Sequence, residues 1–496
     1  MAYLPAMKRF FARIFRFLSL GLFVLIGILI INWIRFSSEQ VEVEPVQLAP
    51  VSDQVVDRFS EVLQISTLSS ASRVDTADFR RLDTVLWTNF PAVFRELDTV
   101  RIGCCSWLLF WPGTNPNLEP ILLSSHMDVV SVDEASIAEW EQAPWSGTQA
   151  DGYVWGRGTM DDKSSGAAIL ESLTRLIELG YRPVRGIYFT MGHDEESSGV
   201  NGAKEIAKYL EQEGVRLAYV IDEGLVVLNQ ALDGLEPPLA MVGIAEKGLT
   251  DLTLTYLDQQ GGHTMMPPSE TAVSALGAAL GKLQDHPLEA KLDGVVAEFF
   301  DFIGPEFSGM KSMLFANRWI TAPLIINTLE QDRAANALIR TTLAPTMIQG
   351  GIRSNVLPAK ASAKVNVRIK PGETIESVKE RVREIIDDKR ILVEADASNW
   401  ASNPSPISPT DAFGFEVIEK TIREIMPEVI VAPSLVIAAT DARHYVNLTD
   451  QIYRFMPIRI DRSELTRIHG LNERLSVENY KQMIQFYEQL IRNSCQ

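Results

Sequence analysis

Three apolar runs of the chain end in acids or histidine: ILLSSHMDVV at 121–130, GIYFTMGHDEE at 186–196 and LAYVIDEG at 217–224. Runs of this length, apolar throughout, predict buried strands. Between the first two, SSGAAILESLTRLIELG sets Ile169, Leu170, Leu173, Leu176 and Ile177 on one helical face, with Gly180 as its stop. Residues 53–246 therefore predict an α/β unit with polar groups gathered at the carboxyl ends of its strands, where open α/β sheets carry their sites.

The texture changes at 247. LTDLTLTYL predicts a strand, TAVSALGAALGKLQ a helix, MIQGGIRSNV a short strand, KASAKVNVRIK a strand, TIESVKERVREIIDD a helix and RILVEADAS a strand. That order, βαββαβ, is the ferredoxin-like arrangement, and it predicts a second domain over 247–398 inserted into the first. Residues 286–345 fit neither pattern and are expected to be a packed elaboration rather than an aromatic lid. From 399 the α/β texture returns and ends in the amphipathic helix SVENYKQMIQFYEQLIRN.

The N-terminus carries a different pattern. FLSLGLFVLIGILIINWI, residues 17–34, is uncharged and as a helix would run about 27 Å, nearly a bilayer core. Lys8, Arg9, Arg13 and Arg16 precede it and SSEQVEVEP follows, so the positive-inside rule puts residues 1–36 down as a cytoplasmic tail and transmembrane anchor, with the body on the other side of the membrane. No small-x-small site follows the run, which favours an uncleaved anchor over a signal peptide. Residues 37–52, polar and proline-punctuated, are expected to be a linker.

The remaining 460 or so residues are ample for more than one buried core. With 46 basic against 64 acidic residues the net charge is -18, which repels phosphate backbones and excludes nucleic acid as the expected partner. Cys104, Cys105 and Cys495 imply no disulfide framework.

Six histidines occur, so their placement is informative. His126 ends the first strand two residues before Asp128, and alternate residues of an extended segment share a face, so this carboxylate can orient the imidazole. Asp161 and Asp162 in GRGTMDDKSSG open the helix above, where as an isolated pair they could merely cap it. Glu195 and Glu196 follow the second strand, Asp222 and Glu223 the third, and RIHGLNER supplies His469 before the last helix. Acids placed side by side repel one another unless cations sit among them. Oxygen donors mixed with imidazole and free of thiolate suit Zn²⁺ or Mn²⁺.

Taken in this order, the motifs resemble those of the co-catalytic zinc metallopeptidases of the aminoacylase, carnosinase and carboxypeptidase S type. The likeness is greatest to carboxypeptidase S and the N-fatty-acyl-amino-acid synthase/hydrolases, and it runs from about residue 53 to the C-terminus. The resemblance implies two Zn²⁺ ions, with Mn²⁺ or Co²⁺ as substitutes, bridged by Asp161, with His126 and Asp222 completing one site and Glu196 and His469 the other. Asp222 is preferred to Glu223 because relatives carry an aspartate at that step. It further implies Glu195 as general base for a metal-bridged hydroxide, Asp128 as the partner of His126, and His263 of GGHTMMPP as a residue of a lid that reaches across a homodimer. Asn355 would contact substrate and Arg368 would clamp its carboxylate. The implied activity is hydrolysis of the amide before a free carboxylate, in short peptides or N-acyl amino acids, or its reversal. An aminopeptidase or other deacylase with the same metals, and a non-catalytic tethered binding protein, are the alternatives.

Overall fold

The computed structural model describes residues 3–70, 73–257, 261–396 and 400–496; the expected domain boundary at 398/399 lies outside them. Strands β1 (Asp98–Ile102), β2 (Ser106–Trp111), β3 (Ile121–His126), β4 (Ile187–Gly192), β5 (Tyr219–Asn229) and β6 (Leu239–Glu246) come first. An insert then carries β7 (Gly248–Leu257), β8 (Thr342–Gly350), β9 (Lys360–Ile369) and β10 (Ile391–Ala395), and β11 (Ile430–Val436) and β12 (Ile452–Asp461) follow. The helices that matter for the site and its setting are α1 (Tyr3–Arg35), α2 (Lys163–Glu178), α3 (Ala272–Asp285), α4 (Gly294–Ile303), α5 (Gly309–Ala316), α6 (Arg318–Leu329), α7 (Ile375–Ile386) and α8 (Val477–Ser494).

The large sheet has eight strands in the order β11-β6-β12-β5-β3-β4-β2-β1. β3 runs parallel to β4 and β5, and β5 parallel to β12, while β1 and β2 are antiparallel neighbours at one edge. Central β3 is buried along its whole length, as its unbroken apolar run requires. Its Leu123 faces the core that holds α2 and α8, where the Ser172 hydroxyl donates to the Ile484 carbonyl at 2.8 Å. Leu122 faces the opposite layer with Ile206, Leu210 and Tyr445. Helices thus cover both faces, the α/β/α sandwich that the strand pattern implied.

The insert's sheet is antiparallel throughout, in the order β8-β9-β7-β10. Leu252, Leu254, Val365 and Val367 on its covered face meet Leu276 of α3 and Val378 and Val382 of α7, a core separate from that of the large sheet. Each of these helices opens with a Thr–Ser capping box, at Thr271 and Thr374. Strand and helix order here is the expected βαββαβ.

Two expectations change. The helical stretch 294–339, within 247–398, does not join the insert's core: Val295, Val296, Phe300, Ile303, Ile325 and Ile339 pack into the main core. Their apolar side chains follow helical rather than strand spacing and cover edge strand β11, which the insert's sheet does not reach. Residues 37–52 are not a free linker either. The Gln40 amide pairs with both backbone groups of Val431, at 2.7 and 2.8 Å, and Val46 donates to the Glu424 carbonyl at 3.0 Å. The segment straps the open edge of the sheet, where unpaired backbone groups need partners. Ahead of it, Ala12–Arg35 of α1 is a 24-residue stretch whose most apolar 18-residue window has a mean hydropathy of 2.7, with none of that window buried.

Because the two cores are distinct, Leu252→Ala, at a fully buried insert position, should cost about 2–5 kcal/mol there. Hydrogen exchange should then speed up in β7 and β9 while β3 keeps its protection; equal loss in both would contradict separate cores.

Candidate metal centre

Parallel β3, β4 and β5 end on the same edge of the sheet, so His126, the turn at 193–196 and the 222–223 pair come out side by side. The turn before α2 adds Asp161, whose peptide to Asp162 is cis, and the loop before α8 adds His469. Oδ1 of Asp161 lies 3.0 Å from Nε2 of His126, and Oδ2 lies 2.9 Å from Nε2 of His469. The same His469 nitrogen is 3.2 Å from Oε1 of Glu196. One carboxylate therefore faces an imidazole on each side.

The side chain that completes the His126 half is Glu223, with Oε1 3.3 Å from His126 Nε2. This corrects the choice of Asp222, whose Oδ2 instead accepts from the Ala442 N–H at 2.7 Å. The cause is local: β5 and β12 lose register here, Arg454 pairing with Asp222 and Phe455 with Leu225, so Glu223 and Gly224 bulge out between them. A bulge re-aims a side chain. Gly224 takes φ 144°, and a Cβ there would come within 2.8 Å of Arg454, so glycine is what the bulge requires.

Asp128 sits where expected and does more than orient His126. Its Oδ1 is 3.3 Å from His126 Nδ1, and its two oxygens accept the N–H groups of Glu195 and Glu196 at 3.2 and 3.1 Å. Ser69 donates to it as well. One buried carboxylate thereby ties the end of β3 to the turn that carries both glutamates.

The sequence reading missed an equivalent tie on the far side. Arg157 donates to Glu473 at 2.5 Å and to the carbonyls of His469 and Gly470 at 3.1 and 3.2 Å. Glu473 in turn accepts from the Gly158 and Met160 N–H groups at 3.0 and 2.8 Å. The ion pair is buried and holds the His469 loop against the Asp161 turn. Both residues lie inside the quoted motifs, GRGTMDD and RIHGLNER, and their opposite charges were the available signal. Ser198, just past Glu196, is held in its turn by Arg443 and His444, which reach its carbonyl at 2.7 and 3.0 Å.

Three expected residues lie elsewhere, on the insert. His263 pairs with Val356 in a two-residue ribbon beside Asn355, and both side chains are exposed. Arg368 is half-buried on β9, opposite Leu249 and Thr342. Among the described residues, no hydrogen bond or ion pair joins any of the three to the carboxylate cluster.

Charge dominates the site. Burial pushes the carboxyls of Glu195, Glu223 and Glu196 upward, and repulsion adds to it, from Glu223 and Glu196 on Glu195 and from Asp161 on the other two. Burial alone would lower the imidazole of His126, but Glu223, Asp128 and Asp161 outweigh it and hold it well above its usual range. Hydrogen bonds that His469 donates to Asp161 and Glu196 hold its imidazole up to about 10. The cluster thus attracts positive charge strongly. His126, Asp161 and Glu223 form one set and Asp161, Glu196 and His469 a second, the donor atoms of each set within 4.8 Å of one another. Two sets of oxygen and imidazole donors sharing one carboxylate fit a pair of divalent cations.

The profile of Peptidase family M20/M25/M40 matches residues 122–493. The probable carboxypeptidase S-like 2 of Dictyostelium discoideum is 38% identical over 95% of this chain and 93% of its own length. The N-fatty-acyl-amino acid synthase/hydrolase PM20D1 of Xenopus tropicalis is 39% identical over 89% of this chain and 86% of its own length. Among solved structures, the metallo-carboxypeptidase Sso-CP2 of Sulfolobus solfataricus superposes with a TM-score of 0.64 at 16% identity, covering 89% of this chain and 99% of that one.

The charge balance has a measurable consequence. His469 binds its proton more tightly folded than unfolded, so its contribution to stability is complete below pH 6.5 and is lost as pH rises toward about 10. Chelator-treated protein should accordingly melt at falling temperature across that window, and less steeply as His469→Ala. Metal-loaded protein should resist the decline, because metal ligands must shed protons to bind. A melting temperature that climbs with pH in the chelated protein would contradict the assignment.

Proposed function

The chain belongs to Peptidase family M20/M25/M40, and we propose that it is a two-metal amidohydrolase cleaving the amide bond before a free C-terminal carboxylate. Its substrates are short peptides or N-acyl amino acids, in keeping with the names of its carboxypeptidase S-like and N-fatty-acyl-amino acid synthase/hydrolase relatives. The observation that carries the reading is Asp161, with one oxygen toward each histidine. His126, Glu223 and Asp161 would hold one ion, and Glu196, His469 and Asp161 the other. Zinc suits this thiolate-free mixture, with manganese or cobalt as substitutes. When bound, such a metal pair supplies Lewis acidity that lowers the pKa of water to about 7.

Glu195 is left as the proton carrier. Its neighbour Glu196 faces His469, whereas the Glu195 carboxyl, buried and held high, is poised to accept a proton near neutral pH. It takes that proton from the attacking water and delivers it to the departing amine nitrogen as the C–N bond breaks. Asp128, gripping the N–H of Glu195, fixes where the carboxyl stands. Run in reverse, the same transfers condense an acyl group with an amino acid.

Arg368 clamps the substrate carboxylate, for which a permanently charged, forked guanidinium is suited. Asn355 contacts the substrate beside it. His263, exposed on its ribbon, steadies the oxyanion in the neighbouring subunit of a homodimer. The insert is thus lid and dimer contact together. α1 anchors the protein in a membrane with the tail cytoplasmic and the body on the far side.

Glu195→Gln should lose about 10²- to 10⁴-fold in kcat on an N-acyl amino acid, measured by mass spectrometry, with its metal content unchanged; retained turnover would overturn the base assignment. Wild-type enzyme should likewise fail on the C-terminally amidated form of a substrate it cleaves as the free acid. Equal rates on both would remove the role given to Arg368 and favour an aminopeptidase.

A further inference from the structure

Helix α5 and Asn317, the joint between it and α6, lie against the end of α1. The Asn317 side chain accepts from Asn32 at 3.0 Å and donates to the Leu29 carbonyl at 3.0 Å, while the Phe36 ring rests on Gly304. As a helix, Ala12–Arg35 is about 36 Å long, about 6 Å more than a hydrocarbon core. Leu29 and Asn32 come about 9 and 4.5 Å before its end, so Asn317 stands at the boundary between acyl chains and headgroups.

The outward face of these helices is apolar. Met310 is 78% exposed, Trp319 61%, Ile320 43% and Leu324 55%. Trp319, Ile320, Pro323 and Leu324 recur at helical spacing, while Ile325 on the other side enters the core. In a chain of net charge -18, Ser308–Leu329 contains no acid and two basic residues, Lys311 and Arg318. Single exposed apolar residues are ordinary, but a contiguous, acid-free set beside a bilayer-length helix is a surface made for lipid.

We propose that α5 and α6 lie in the interfacial layer of the membrane that α1 spans, with the Met310, Trp319, Ile320 and Leu324 face among the lipids. Interfacial helices sink about 5–10 Å into this layer, which is the depth the Asn317 contacts give. The proposal rests on the anchor reading of α1. It adds that the body is docked on the membrane rather than tethered above it: α4 covers β11 and the strap at Gln40 pins the same strand, so anchor, interfacial helices and catalytic sheet form one rigid connection. A fatty-acyl substrate would partition into the same layer.

The test uses the full chain in vesicles of phosphatidylcholine and phosphatidylglycerol, with Cys104→Ser as background and a nitroxide on one introduced cysteine at a time. Ile320→Cys and Leu324→Cys report the face, Ile26→Cys the span and Lys208→Cys the remote surface. Collision rates with oxygen, which enters lipid, are compared with those of a water-soluble nickel chelate. The ratio should exceed one at Ile320, Leu324 and Ile26, and fall below one at Lys208. Ile26 in lipid with Ile320 and Leu324 both aqueous, or both shielded from either reagent by a second copy or another protein, would overturn the docking and leave the anchor standing. An aqueous Ile26 would overturn both.

Discussion

Asp161 joins what the chain keeps apart. His126 ends a strand well before the insert and His469 lies in a loop long after it, yet each faces one oxygen of the same carboxylate. Around them stand Glu195, Glu196 and Glu223, so negative charge exceeds what two imidazoles can balance. Leaving ionised carboxylates buried and unpaired costs several kcal/mol each, and compensation by cations is the solution the donor set supports. The catalytic body can therefore complete itself only when its two sequence halves close around the insert.

Two buried polar ties make that closure reproducible. Asp128 spends both oxygens on the backbone of Glu195 and Glu196 while steadying His126. Arg157 and Glu473 clasp the Asp161 turn to the His469 loop through the bond between them and four hydrogen bonds to backbone. Ties of this sort pair buried charge with buried charge and fix the loops they join, which a site with tolerances of a fraction of an ångström requires. The chemistry sits on strand ends and loops, but the rigidity comes from charged pairs beneath them.

Much of this was legible in the sequence. Apolar runs ending in acids marked β3, β4 and β5, and the βαββαβ order of the insert followed from its periodicity. His126, Asp161, Glu196 and His469 come together in the fold as their positions at strand and turn ends suggested. What failed depended on nonlocal geometry. Asp222 and Glu223 are neighbours on a strand, and only the bulge against β12 decides which one turns to the site. The 37–52 segment reads as linker because its polar residues satisfy an edge strand nearly four hundred residues away, at Val431. Residues 309–329 carry an ordinary helical pattern, but much of their apolar surface faces outward beside α1, and no periodicity indicates which neighbour covers a helix. Arg157 and Glu473 were passed over because a charge pair is silent until folding brings its members together.

The shared carboxylate is tested most directly by counting metal in the purified full-length protein by elemental analysis, for the wild type, Asp161→Asn, Glu223→Gln and Asp222→Asn. Two divalent ions per chain in the wild type and in Asp222→Asn, fewer than two in Glu223→Gln and less than one in Asp161→Asn are the values this account predicts. Two ions retained by Asp161→Asn, or no stoichiometric metal in active wild-type protein, would contradict it.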